Sequence, residues 1–548
     1  MAIAFLSVLT LLVYGRILGN YFLNDDFGRI LMLAHLQDLP VYDALWQLVV
    51  NGYHVYYRPL TNTAFYLLRK AFELNASAYY FSSLLLHIIA AFSLYHAYRK
   101  LTAVHYGDEC DRRGLWALGA VSFFLLNPRH VESVSYIHDN ENVICGLFFF
   151  LGILSFVNLC SAPKWWGWCV FAAAYMGSLL GKEMGVTLPI VCLAYYVLLG
   201  RPTGLGSERP VWKDPVLLKA SLVSLGVFSF YMIARYIAIG EFVGGYGATA
   251  ELDFNLGRIV RTLMQAFVAM LLPNDLTLLV WLAEYFHRHL VVFAVAVLAV
   301  GGVGIWMLGK INSRMAIFGA IWVCVTMLPV LNNGIGVEVL TGGRYLYIPL
   351  AGMAICLAEM VRSLSVIRLR WVVVLGALFF YGASTYGNNA VLSRASDINE
   401  KFLFGIEEAW DGGGRKTAVV VPGMYRGMYI LPSGFTSALE VVYGEKSAQY
   451  LQSMALVLVM RLDNLDVADI TVTKEGRRSR LDISGGGILW QQELYSARDV
   501  TESDLQMTDR TLLNTHGDFV ARRVAFLHEG DILLPVFQGE EGVRRVRF

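Results

Sequence analysis

The sequence predicts a polytopic α-helical membrane protein of about eleven transmembrane helices that ends in a β-rich soluble module. Three observations predict it. First, the chain of 548 residues is 56% hydrophobic and only 16% charged, whereas a soluble domain carries about 25% charge. Second, apolar runs long enough to cross a bilayer recur along the chain, at about 17 to 25 residues each. Third, this pattern stops near residue 388 and short alternating runs take over.

The expected spans are 3–20, 79–98, 114–130, 142–160, 165–181, 184–200, 217–239, 289–309, 315–331, 344–361 and 370–387. The first is expected to be retained, because its apolar run reaches Leu18 with no small-residue cleavage site. A polar loop rich in Tyr and Trp, 21–78, separates it from the second. Lys and Arg cluster in loops 99–113, 201–216, 310–314 and 362–370, which by the positive-inside rule belong to the cytoplasm. These loops share one side only if 257–280 does not cross. That segment carries Arg258, Arg261 and Gln265 and breaks at Pro273-Asn274-Asp275, which suits an interfacial or re-entrant stretch. The parity places the N-terminus inside, and both loop 21–78 and the terminal module outside.

The domain reading is 1–387 for the membrane part and 388–548 for a β-rich or mixed α/β module. In the module, runs such as 417–421, 456–460 and 469–473 alternate between Gly, Asp and Asn turns and read as strands. The stretch VVVPGMYRGMYILPSGF reads as a surface with turns. All seven cysteines precede residue 357, and with no CxxC spacing neither a redox motif nor a zinc knuckle is implied. The formal net charge of +1 gives no electrostatic reason to expect nucleic acid.

Charged groups gather on the expected outer side. Asp25 and Asp26 follow the first span within YFLNDDF, and the same loop holds His54 and Arg58. His130 ends the third span and Glu132 follows it, Lys182 and Glu183 join the fifth to the sixth, and Arg344 and Tyr345 stand where the tenth begins. Ionisable groups at membrane depth are costly and usually face a cavity, pairing with one another. A carboxylate can serve as general base on an acceptor hydroxyl, and cations can hold a phosphate leaving group as its charge develops. An apolar groove between spans could hold a lipid tail. Each group also has a structural reading: a solvated loop for Asp25 and Asp26, an interfacial anchor for Arg58 and for Arg344 with Tyr345, a pair for His130 and Glu132, a hairpin turn for Lys182 and Glu183. His138, Asp139 and Glu141 read as solvated loop groups.

The order NDDF, YRPL, NPRHVESV, GKEMGVTLPIV, LPVLNN, GGRYLYIPLAG resembles the membrane half of the transmembrane, TPR-containing O-mannosyltransferases and their bacterial relatives, in the GT-C superfamily. The resemblance covers roughly residues 15–360 and implies a GT-C-like fold using a polyprenyl-phosphate-linked sugar. It implies a catalytic aspartate at Asp25 or Asp26, and donor-phosphate contacts from Arg58, Lys182 and Arg344 with Tyr345 beside them. His54, His130, Glu132 and Glu183 complete the candidate set. The chain departs from the family twice: Asp139-Asn140-Glu141-Asn142 replaces a G-R-x-D-like run, and residues 388–548 stand in place of the TPR array.

The expected function is transfer of a sugar from that lipid donor to a hydroxyl on a protein or an envelope glycan. The site and module would face the periplasm, outside the cell inner (plasma) membrane. The runner-up is a transporter or flippase of a lipid-linked solute. A divalent metal is compatible with Asp25, Asp26, His54, Glu132 and Glu338, but no spacing among them is diagnostic.

Overall fold

The structure, a computed structural model, describes the chain except for residues 52–55, 107–109, 201–213, 243–255, 273–312, 332–341, 410–416, 476–477, 491–505, 513–518, 528–531, 538–541 and 547–548. The chain is a polytopic α-helical membrane protein with a β-rich region at its C-terminal end. Seven helices among the described residues are long and apolar enough to cross a membrane, and four shorter apolar helices accompany them. The expected span 289–309 and residues His54 and Glu338 lie outside the described residues.

The chain divides into two compact units. One comprises Met1–Arg16 and Leu36–Asn389, the other Ile17–His35 and Ala390–Phe548. The NDDF stretch thus belongs to the unit that holds the terminal module.

The first unit begins with α1 (Ala2–Tyr14). The second contributes α2 (Asp25–Met32). Next come α3 (Val41–Val50) and α4 (Pro59–Phe72). The expected polar loop 21–78 is therefore largely helical. Its apolar residues recur at helical rather than random spacing, and Phe27, Ile30, Leu48, Phe65 and Tyr66 are all buried. Then follow α5 (Ala76–Tyr106), α6 (Cys110–Leu126), the short α7 (His130–Ser135), α8 (Glu141–Ser161), α9 (Trp165–Gly181) and α10 (Leu188–Tyr195). After these come α11 (Pro215–Ile239), α12 (Leu256–Leu271), α13 (Arg314–Met327), α14 (Tyr347–Ser363) and α15 (Ile367–Ala409). Helix α8 lies at the centre, packed on α5 and α9, and α13 packs on α14. The last expected span ends at 387, but α15 runs on to Ala409 because Ser, Asp, Asn and Glu after 387 form helix as readily as the apolar run before them.

Among the described residues of the second unit ten strands form one sheet: β1 (Thr417–Tyr425), β2 (Met428–Tyr429), β3 (Met454–Leu462), β4 (Asp469–Glu475), β5 (Arg478–Ser484), β6 (Gly486–Trp490), β7 (Gln506–Leu512), β8 (Phe519–Leu527), β9 (Ile532–Val536) and β10 (Gly542–Val546). The order is β10-β9-β1-β3-β6-β8-β5-β4, with β2 on β1 and β7 on β8. Strand β1 is parallel to β3 and β9, and the other pairs are antiparallel. A parallel pair needs a crossover, here supplied by α16 (Phe435–Tyr443) and α17 (Lys446–Ser453) between β2 and β3. The three runs read as strands fall in β1, β3 and β4. The stretch VVVPGMYRGMYILPSGF does turn, at Arg426 and Gly427 with φ of 46° and 79°. It is not a surface, however: every residue of β1 is buried, since this strand is central in the sheet.

Candidate functional site

The adjacent aspartates open α2 at its first two positions, where carboxylates meet the positive end of the helix dipole. They have different surroundings. Asp26 is 0% exposed, and its Oδ2 accepts the backbone N–H of Leu23 at 2.9 Å, closing the turn that starts the helix. Asp25 is exposed, and its Oδ1 accepts from Asn24 Nδ2 at 3.0 Å. Within the same unit, Asn24 N–H donates to the carbonyl of Ile430 at 2.8 Å, and Asn24 Oδ1 accepts from the N–H groups of Ser433 at 3.1 Å and Gly434 at 2.9 Å. A Cβ on Gly434 would run into the Asn24 carbonyl, so only glycine fits there.

In the first unit, residues far apart in sequence build a buried ion network at the ends of helices. Arg58 caps α4, ahead of Pro59 at the first helical position. Glu141 is the first residue of α8. Lys182 is the extended residue that leaves α9. Arg58 Nη1 donates to both oxygens of Glu141, at 2.7 and 2.8 Å, and Nη2 donates to Glu183 at 2.8 Å. Lys182 Nζ lies 2.9 Å from Glu141 Oε1 and 2.8 Å from Asn142 Oδ1. Arg235 of α11 approaches Glu183 at 3.5 Å. Thr61 Oγ1 donates to the carbonyl of Gly181 at 3.0 Å, which ties α4 to the end of α9. Among the described residues this network thus joins Arg58, Lys182 and Arg235 to Glu141 and Glu183.

A second group adjoins it. The left-handed Gly342, at φ 87°, turns the chain into a short helical segment, Gly343–Leu346, ahead of α14. Arg344 Nη1 donates to both oxygens of Asp139 at 3.1 Å, and its backbone N–H donates to Glu132 Oε2 at 2.8 Å. Tyr345 links the two groups: Arg344 Cζ lies 5.2 Å and Lys182 Nζ 5.4 Å from its ring centroid. Burial pushes the Glu132 carboxyl up to about 7, against the opposing pull of Arg344. His130 instead packs among rings, 4.5 Å from Phe124 and 4.6 Å from Tyr347, and burial holds its imidazole well below the usual range. An apolar groove of about 640 Å³ opens between α8, α9, α10 and α11, lined by Phe156, Tyr175, Ile190, Leu217, Leu225 and Phe228 among others. Among the described residues no three His, Cys, Asp or Glu side chains gather to hold a metal ion.

The structure thus brings together Arg58, Lys182 and Glu183, and joins to them Glu132, Arg344 and Tyr345. Asp25 and Asp26 belong to the other unit. One expectation needs correction. Asp139 and Glu141 are not solvated: both are buried and carry the counter-charges of the network. Glu141 pairs with both Arg58 and Lys182. Sequence reasoning also missed Arg235. A signal for the carboxylates existed: Arg58, Lys182 and Arg344 beside apolar spans demand buried partners, and Asp139 and Glu141 are among the acids expected on that side.

No family model matches the chain. It is 32% identical over 205 residues to protein O-mannosyl-transferase TMTC2 of Homo sapiens. The chain resembles the O-mannosyl-transferases over that stretch, as the motif order implied. The Mus musculus protein matches at 32% and the Xenopus laevis protein at 30% over the same length. The match takes in 35% of this chain and 23% of each of these proteins, so the chain spans less than a quarter of their length. A solved structure, ArnT from Cupriavidus metallidurans bound to undecaprenyl phosphate, aligns over 86% of this chain and 96% of its own, with 12% identity and a TM-score of 0.41.

Proposed function

We propose that this chain is an integral-membrane glycosyltransferase of the GT-C type. It moves a sugar from a polyprenyl-phosphate-linked donor to a hydroxyl of a protein or envelope glycan, on the outer face of the cell inner membrane. The observation that carries the reading is the asymmetry of the aspartate pair: Asp26 is turned inward to hold the helix start, and Asp25 offers its carboxylate to solvent. Asp25 then acts as the general base. It takes the proton from the acceptor hydroxyl, the oxygen attacks the anomeric carbon, and the bond from that carbon to the phosphate oxygen breaks. Polyprenyl phosphate leaves with the electron pair. The guanidinium and ammonium groups of Arg58, Lys182 and Arg344, with Tyr345 beside them, favour binding of the phosphate as its charge grows. The apolar groove between α8 and α11 suits the lipid tail. The relatives named as protein O-mannosyl-transferases support the transferase class, with mannose as the first sugar to try. Arg58, Glu141 and Lys182 lie at helix ends, whereas a conduit through the bilayer calls for such groups along the middle of spans, so the transport reading has no support.

The test compares Asp25→Asn with Asp26→Asn. Asp25→Asn removes transfer and leaves the amount of folded protein unchanged. Asp26→Asn lowers the yield and thermal stability of the protein. Equal transfer by wild type and Asp25→Asn overturns the assignment.

A further inference from the structure

We infer that Asn24 and the loop 430–434 of the terminal module position the catalytic carboxylate of Asp25, so that the module acts on the base. This inference rests on the proposed transferase reading.

Asn24 holds an uncommon backbone conformation for a residue with a side chain, with φ 35° and ψ −107°. Such a conformation persists only where its surroundings impose it. Here the loop imposes it. Ile430 accepts the Asn24 N–H at 2.8 Å. Three donors converge on Asn24 Oδ1: the N–H of Ser433 at 3.1 Å, the N–H of Gly434 at 2.9 Å and the hydroxyl of Ser433 at 3.1 Å. Three donors on one oxygen fix which way the amide faces. Its Nδ2 must then point the other way, and it donates to Asp25 Oδ1 at 3.0 Å. Ser433 Oγ also lies 3.3 Å from that same carboxylate oxygen. One hydroxyl hydrogen can serve Asn24 Oδ1 or Asp25 Oδ1 at a time, so the amide is the steady donor and the hydroxyl an occasional second. Donors aimed at the ionised form keep a carboxylate deprotonated and fix its orientation. Both are properties that a general base needs.

Asn24→Asp separates positioning from docking. An aspartate oxygen still accepts from Ser433 and Gly434, but a carboxylate now faces Asp25 where a donor stood. The like charge raises the pKa of Asp25, and the base must ionise to work. The acidic limb of the rate–pH profile therefore moves up by about one pH unit, which lowers transfer on that limb about tenfold. Ser433→Ala shifts the limb in the same direction by less, and Ser433→Thr, which keeps the hydroxyl, restores it. The assay uses detergent-solubilised full-length protein, a synthetic polyprenyl-phosphate [14C]mannose and the envelope fraction of cells lacking the gene. An unchanged limb in Asn24→Asp overturns the positioning role while Asp25→Asn still abolishes transfer. Transfer that survives Asp25→Asn overturns the base itself, which is a separate failure. A second measurement needs no activity: the thermal midpoint of Asn24→Asp falls from pH 4 to pH 7 as the two carboxylates come to repel, and Asp25→Asn in that background restores it. No restoration overturns the contact between positions 24 and 25.

Discussion

Glu141 is the group on which the buried ion network of the first unit depends. Its carboxylate is 3% exposed and reaches Arg58 at 2.7 Å and Lys182 at 2.9 Å. Glu183 touches Arg58 at 2.8 Å, an equally short contact, but is 35% exposed. Replacing Glu141 by Gln keeps the shape and deletes the charge, so two buried cations lose their shared partner. Removing one member of a buried pair costs about 3 to 5 kcal/mol, mostly through the charge left behind. Arg58 keeps Glu183 and Lys182 keeps Asn142 Oδ1, which places the cost near the lower end, about 3 kcal/mol. Glu183→Gln costs less, because its side chain is partly open to water and Arg58 keeps both oxygens of Glu141. The assay is the thermal midpoint of the full-length protein in one detergent. Glu141→Gln falls by several degrees more than Glu183→Gln. Adding Lys182→Met to Glu141→Gln recovers part of the loss, because no cation is then left without its carboxylate. An equal or larger drop for Glu183→Gln, or a double variant less stable than both singles, refutes this account of the network.

Further outcomes follow from the same geometry. Glu132 has its carboxyl at about 7 in the folded chain against an ordinary 4.5, so the folded state binds this proton more tightly and stability falls as pH rises from about 4.5 through 7. The amount is about 3 kcal/mol at most, and Glu132→Gln removes that part of the slope in midpoint against pH; an unchanged slope contradicts the assignment. Gly434→Ala drives a methyl group into the Asn24 carbonyl and lowers the thermal midpoint as well as transfer, whereas Gly376→Ala, at a helical glycine with open space around it, leaves transfer at the wild-type level. Ala220→Trp fills the groove between α8 and α11; it raises KM for a long-chain lipid donor but not for a short-chain analogue, and an equal effect on both removes the groove from the donor site.

Much of the architecture is written locally in the chain. Spans such as 3–20 and 142–160 are uniform apolar runs of the right length, and strands 456–460 and 469–473 alternate between turns. Helices α2, α3 and α4 are not so written, because polar residues share their short segments with the buried ones. The cations Arg58, Lys182 and Arg344 stand out against apolar neighbours. Their partners Asp139 and Glu141 look like ordinary loop acids until the fold folds them inward. The contact between Asn24 and Ser433 joins positions 409 residues apart. No local pattern announces it, since it exists only once the segment 17–35 has docked on the module.

Intact-mass analysis of envelope proteins tests the central claim most directly. Cells carrying the gene are compared with cells lacking it and with cells carrying Asp25→Asn at equal membrane levels. The account predicts a sugar-sized mass, or an envelope glycan increment, present in the first and missing from both others. The same increment in the Asp25→Asn cells as in wild type contradicts it.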